Sequence, residues 1–109
     1  MPIPHAQRAE VDLRKLRDYC VDLDHEEGKH KARLFAAAGI TADQAENLRA
    51  ALLEMILTND AKLGLRDEFG QRYTVDFWFE WRGKQAMIRS GWIIEHDSDT
   101  PRLTTCYPL

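Results

Sequence analysis

The stretch Tyr73-Thr74-Val75-Asp76-Phe77-Trp78-Phe79-Glu80 changes character at every second position. A period of two marks a β-strand with one buried face, because successive side chains point to opposite sides of the pleat. Tyr73, Val75, Phe77 and Phe79 are therefore expected to face a core, with Thr74, Asp76, Trp78 and Glu80 on the other side. Tyrosine, valine and phenylalanine are also strong strand formers. Working outward, Arg82-Gly83-Lys84 reads as a hairpin turn, with glycine where a positive φ is needed. Gln85–Glu95 follows as a strand with a bulge expected at Gly91. Asp97-Ser98-Asp99-Thr100-Pro101 is a turn, and Arg102–Tyr107 is a further strand. On the other side, Ala61–Asp67 reads as a weaker strand. Short sequential connections join all four, which implies an antiparallel meander.

Upstream the period becomes helical. Thr41 and Gln44 stand at the spacing of a capping box. Behind them Ala45, Leu48, Leu52 and Met55 recur at helical intervals through about Thr58. An earlier helix is expected from about Lys29 to Ala38, closed by Gly39 as a left-handed cap. A short amphipathic segment, Val11–Val21, places Val11, Leu13, Leu16 and Cys20 on one side. The polar run from Asp22 to Gly28 separates these two helices as a loop. Residues 1–9 hold Pro2 and Pro4 and no periodicity, so they read as an extended arm. The expected fold is α+β, with three N-terminal helices packed on a four-stranded antiparallel meander. It is read as one domain over residues 1–109, with the arm at 1–9, a helical half at 11–58 and the sheet at 61–107.

Composition narrows the function classes. The chain has 109 residues, which suits one domain of the common size of about 100–150 residues. Hydrophobic residues make up 44% and charged residues 30%, values that argue against a disordered chain. Its 15 Lys and Arg against 18 Asp and Glu leave a net charge of −3, so duplex DNA held by bulk electrostatics is excluded. Any basic site must be local. Cys20 and Cys106 are too few for a disulfide framework and read as two reduced thiols. His5, His25 and His96 have no partner at ligand spacing, so neither a metal nor a cofactor is expected. The apolar runs fall far short of the ~18 residues that span a membrane. No signal-peptide pattern opens the chain, and the expected compartment is the cytoplasm.

Few residues stand out chemically. Lys31 begins a helical stripe continued by Leu34, Phe35 and Ala38. The plainer explanation is that its methylenes pack while the amine reaches past the core edge. The other is that the amine points into a cleft between helix and sheet. Lys29, His30, Lys31 and Arg33 together could hold a phosphate near a helix N-terminus, or form a solvated face paired with Asp24, Glu26 and Glu27. Arg89 sits in the apolar strand Met87-Ile88-Arg89-Ser90-Gly91-Trp92-Ile93-Ile94. It could pair with Asp76 or Glu80 on the neighbouring strand, or contact phosphate. Trp78 and Trp81 are the exposed-aromatic candidates, suited to stack on bases, fill a partner's pocket or pack under the arm.

Three stretches carry a resemblance. They are Lys29–Thr41 with its His-Lys-Ala-Arg, Arg89–Ile94, and Pro101-Arg102-Leu103-Thr104-Thr105-Cys106-Tyr107-Pro108. Together they resemble a family of small uncharacterised bacterial domains, found alone and as C-terminal modules of polymorphic toxins. Helices followed by a four-stranded sheet ending in Thr105-Cys106-Tyr107-Pro108 are more loosely similar to the barnase/EndoU/colicin/RelE-like ribonucleases. That resemblance nominates His30, Lys31, Arg89, Thr105 and Tyr107 as catalytic residues of a metal-independent toxin. In such a site the 2′-hydroxyl of RNA attacks the adjacent phosphate and His30 transfers the proton. Lys31 and Arg89 stabilise the developing charge, while Thr105 and Tyr107 position the phosphate. The sequence departs from that pattern in having no evident Glu or His base on a strand, since His96 falls at a strand end. The competing expectation is a non-enzymatic interaction module of a toxin/immunity-type locus. Its partner would be an antitoxin or a neighbouring-gene protein, with Trp78, Trp81 and the proline-rich arm at the contact. A homodimer through the edge strand Ala61–Asp67 fits either reading.

Overall fold

A computed structural model of the chain describes residues 1–17, 35–37, 39–81 and 83–109. The sheet is a four-stranded antiparallel meander in the order β1-β2-β3-β4, formed by Lys62–Arg66, Gly70–Trp81, Lys84–Glu95 and Arg102–Pro108. Among the described residues the helices are α1 (Leu13–Lys15), the helical residues 35–37 (α2) and α3 (Ala45–Met55); the loop expected from Asp22 to Gly28 and the start of the helix expected from Lys29 lie outside them. The α+β architecture expected from the change of period is therefore the one observed. Strand pairing fixes which side chains share a face. β2 and β3 pair along their whole length, from Gly70 opposite Glu95 to Trp81 opposite Lys84. The two-residue connection between them carries Gly83 at φ 75°, a left-handed value that glycine adopts without steric cost.

The core lies between one face of this ribbon and the helices. Val75, Phe77, Phe79, Ile88, Trp92 and Cys106 of the sheet are buried against Leu48, Leu52 and Ile56 from α3 and its C-terminal turn, together with Leu16 and Phe35. The odd-numbered residues of β2 thus point inward, as their alternation predicts. Trp81 follows the same phase. It stacks on Phe79 with its ring half-buried, so it is not the exposed aromatic the sequence reading expected. Trp78, one strand face away, is 60% exposed and fits that expectation.

The N-terminal segment does more than extend. Ala6–Arg8 forms one turn of 3-10 helix, and Ile3 and Ala6 are buried in the core. Glu10 bridges to β4 through its N–H on the Pro101 carbonyl and its C=O on the Leu103 N–H. That contact covers part of the outer edge of the sheet on this side. α1 opens with the Asp12 carboxylate accepting from the Arg14 N–H, an ordinary N-cap. The helix expected over Val11–Val21 is described only in its first turn.

Gly39 closes α2 as expected. It has φ 81°, its N–H bonds the Ala36 carbonyl, and the Ile40 N–H reaches back to Phe35. This pair of bonds satisfies carbonyls that a helix end would leave orphaned. The capping box at Thr41 is not formed. A 3-10 turn at Ala42–Gln44 precedes α3 and Gln44 becomes its N-cap with no side-chain cap bond. The Gln44 side chain instead accepts from Asn47 Nδ2. One extra turn of tighter helix shifted the frame by three residues.

Candidate functional site

On the face turned away from the core, the middle of the sheet carries a polar row. Asp76 of β2 lies opposite Arg89 of β3, and Arg89 lies opposite Tyr107 of β4. The Arg89 guanidinium grips the Asp76 carboxylate with two bonds, Nε to Oδ1 and Nη2 to Oδ2, each 2.9 Å. Such fork-to-fork pairing fixes both side chains in one plane. The row follows from strand geometry, since all three residues share the outward phase of their strands. Counting back five positions from the hairpin pair Trp81 and Lys84 brings Asp76 opposite Arg89.

Electrostatics follow from that contact. Hydrogen bonding from Arg89 holds the Asp76 carboxyl below the usual carboxylate range, against a smaller opposing effect of desolvation. The charges of Arg89 and Lys62 add to the lowering. Arg89 is in turn pushed above its ordinary value, first by its hydrogen bond to Asp76 and then by that residue's charge. A hydrogen bond with Tyr107 adds a smaller push in the same direction. At neutral pH the pair is thus a carboxylate and a guanidinium in contact, with Tyr107 against the guanidinium. The side chains of Arg89 and Asp76 are 37% and 30% exposed, so the pair is open to a ligand.

Thr105 stands beside the row, opposite Gly91. The register shifts between Gly91 and Trp92, which places the expected irregularity where the sequence suggested. Its extra residue belongs to β4, because Gly91 pairs with Thr105 while Trp92 pairs with Leu103. A Cβ built on Gly91 would come 3.0 Å from Thr105 Cγ2 and 3.2 Å from Thr104 Oγ1, so glycine lets the threonines close over β3. Trp78 flanks the row on β2, opposite Met87.

Of the residues nominated from sequence, Arg89, Thr105 and Tyr107 come together on one face of the sheet. His30 and Lys31 lie outside the described residues, as does Cys20. Asp76 is the participant that sequence reasoning weighed only as a salt-bridge partner; its signal was the register set by the turn. His96 is remote from the row, with Nε2 2.9 Å from the Asp67 carbonyl oxygen. Cys106 is a buried thiol on the core face. Among the described residues, no three His, Cys, Asp or Glu side chains lie close enough to share a metal ion. No helix among them is long and apolar enough to cross a membrane.

Residues 2–109 match the model of a family described as Domain of unknown function (DUF6883). The chain belongs to DUF6883. The family of small uncharacterised domains suggested by the sequence is thereby supported at that level. No curated protein matches it. Among solved structures, this DUF6883 chain is similar to one chain of a "Contact-dependent growth inhibition toxin - immunity protein complex from Klebsiella pneumoniae 342". The identity is 19%, the TM-score 0.57, and the alignment covers 91% of this chain and 98% of that one. At that identity the likeness concerns the fold.

Proposed function

We propose that this DUF6883 chain is a ribonuclease-like toxin domain whose site is the Asp76–Arg89–Tyr107 row. The observation that carries the reading is the row itself: three complementary polar groups on three adjacent strands, facing away from the core. The chain is similar in fold to a component of a toxin–immunity complex, which supports the same class of role.

The chemistry asked of the site is transesterification. The RNA 2′-oxygen attacks phosphorus, the bond to the 5′-oxygen breaks, and a 2′,3′-cyclic phosphate and a 5′-hydroxyl result. The Asp76 carboxylate accepts the 2′-hydroxyl proton, and a proton returns to the leaving 5′-oxygen from His30 or Tyr107. A guanidinium has five N–H donors and Asp76 takes two, so Arg89 retains donors for the charge that builds on the phosphorane. Thr105 and Tyr107 orient the phosphate, Lys31 adds positive charge, and Trp78 offers a ring for a base to stack on. The test is incubation of the purified chain with total tRNA. Cyclic-phosphate ends should appear with the wild type and vanish with Arg89→Ala and Asp76→Asn. Intact RNA at high wild-type concentration would remove the ribonuclease reading.

A second reading keeps the chain as a non-enzymatic partner in a toxin/immunity-type locus. The observation that favours it is the exposure of Leu63, Leu65 and Phe69, three apolar side chains on or beside the edge strand β1. A homodimer through β1 is opposed by charge, since antiparallel self-pairing about Gly64 would set Lys62 against Arg66. Co-purification with a neighbouring-gene product, unaffected by Arg89→Ala and without RNA cleavage, would favour this second reading.

A further inference from the structure

β2 is longer than its neighbour on one side. β1 pairs only with residues from Gln71 to Thr74, so the remainder of β2 has β3 alone as a strand partner. Two hydrogen bonds settle which way the backbone of this stretch faces. The Leu109 N–H donates to the Met87 carbonyl at 2.9 Å, so the polar groups of Met87 are turned to β4. Its partner Trp78 is then in a non-hydrogen-bonded pair with it, with N–H and C=O turned away from β3. Consistently, the Asp76 carbonyl points to that same outer side and accepts from Asn59 Nδ2 at 3.2 Å. Glu80, two residues beyond Trp78, shares the phase. Among the described residues, no strand and no backbone hydrogen bond reaches Trp78 or Glu80 on this edge.

The open edge borders a hollow. Between it and α3 lies a cavity of about 590 Å³, walled by Asn47, Ala50 and Glu54 of the helix and by Trp78, Glu80 and Trp81 of the strand. The Trp81 indole N–H is buried and has no hydrogen-bond partner among the described residues. A buried donor without an acceptor is costly. Among the described residues that wall it, the charged side chains are the carboxylates of Glu54 and Glu80.

We propose that this edge and cavity dock an extended, basic segment of another protein, added to the sheet beside Trp78 and Glu80. Main-chain bonds to those two residues supply register, as in other cases of strand addition. Alternate side chains of the segment enter the cavity over Ala50 and Ala51, and its Lys or Arg residues meet Glu54 and Glu80. A second copy is the poorer occupant. Its own basic strand β1 could dock only head to tail, an arrangement that runs on into open filaments. The proposed edge adjoins the Asp76–Arg89–Tyr107 row at Trp78 but uses none of those three residues, and it does not depend on RNA cleavage.

The test uses the whole ¹⁵N-labelled chain, titrated with a synthetic hexapeptide alternating lysine with valine. A hexapeptide alternating glutamate with valine is the control. The lysine peptide should shift the amides of Trp78 and Glu80 and the indole N–H of Trp81 in a saturable way. The control should bind at least about tenfold more weakly. Glu54→Lys, an exposed substitution on α3, should remove that preference while the remaining spectrum stays native. Equal titrations by both peptides, or shifts confined to other residues, would overturn the proposal. So would self-association in sedimentation that Glu54→Lys abolishes, since the occupant would then be a second copy.

Discussion

The β2–β3 ribbon carries polar side chains on both faces, one residue apart, and holds them in opposite ways. On the core side, Ser90 Oγ donates to the Val75 carbonyl at 2.6 Å and accepts from Trp92 Nε1 at 2.9 Å, with both side chains wholly buried. On the outer side, Asp76 and Arg89 grip each other at similar distances while remaining about a third exposed. The first network has no water to fall back on, so losing one member strands the others. The second exchanges readily with solvent, so its groups add little to stability and are available to a ligand. Similar hydrogen-bond lengths therefore mean different things on the two faces.

Substitution separates them, and the largest effect belongs inside. Trp92→Ala should cost about 3–5 kcal/mol in urea denaturation, because it removes a fully buried indole from the centre of the core. Ser90→Ala should cost about 1–3 kcal/mol, since it leaves the Trp92 N–H buried without an acceptor. On the outer face, Arg89→Ala should move the denaturation midpoint less than Ser90→Ala does, and under the proposed ribonuclease function it should also abolish cleavage of tRNA. A larger stability loss for Arg89→Ala than for Ser90→Ala would break the contrast.

A pH series sharpens it further. The folded-state pKa of Asp76 is depressed, so its contribution is present above the ordinary carboxylate value of about 3.9 and is lost as pH falls through the lower folded value. The stability difference between wild type and Asp76→Asn should stay level from about pH 5 to 8 and close only below about pH 4. A difference that closes as pH rises would contradict the assignment. The smallest expected change is Trp78→Ala. It should shift stability by no more than about 0.5 kcal/mol, since the ring is 60% exposed.

Much of the fold was legible because its signals are local. The alternation from Tyr73 to Glu80, the glycine at position 83 and the stripe Ala45, Leu48 and Leu52 each report a periodicity that neighbouring residues set. The failed capping box at Thr41 and the inward turn of Trp81 were not legible. The first depended on a 3-10 turn, a form frequent at the N-termini of α-helices. The second depended on strand phase running past Glu80 to the hairpin. The candidate site was half visible. Arg89, Thr105 and Tyr107 could be nominated one at a time, but nothing in their spacing along the chain said that they were neighbours.

The sequence alone determined an α+β chain with a four-stranded meander and a core built on Val75, Phe77 and Phe79, because hydrophobic period and turn chemistry act over a few residues. Only the tertiary structure decided that Asp76, Arg89 and Tyr107 meet, that β1 stops short of Trp78 and Glu80, and that α3 stands off far enough to leave a cavity there. Those outcomes depend on register and on the lengths of strands paired across the sheet. They are set by packing between distant segments, which no local pattern encodes.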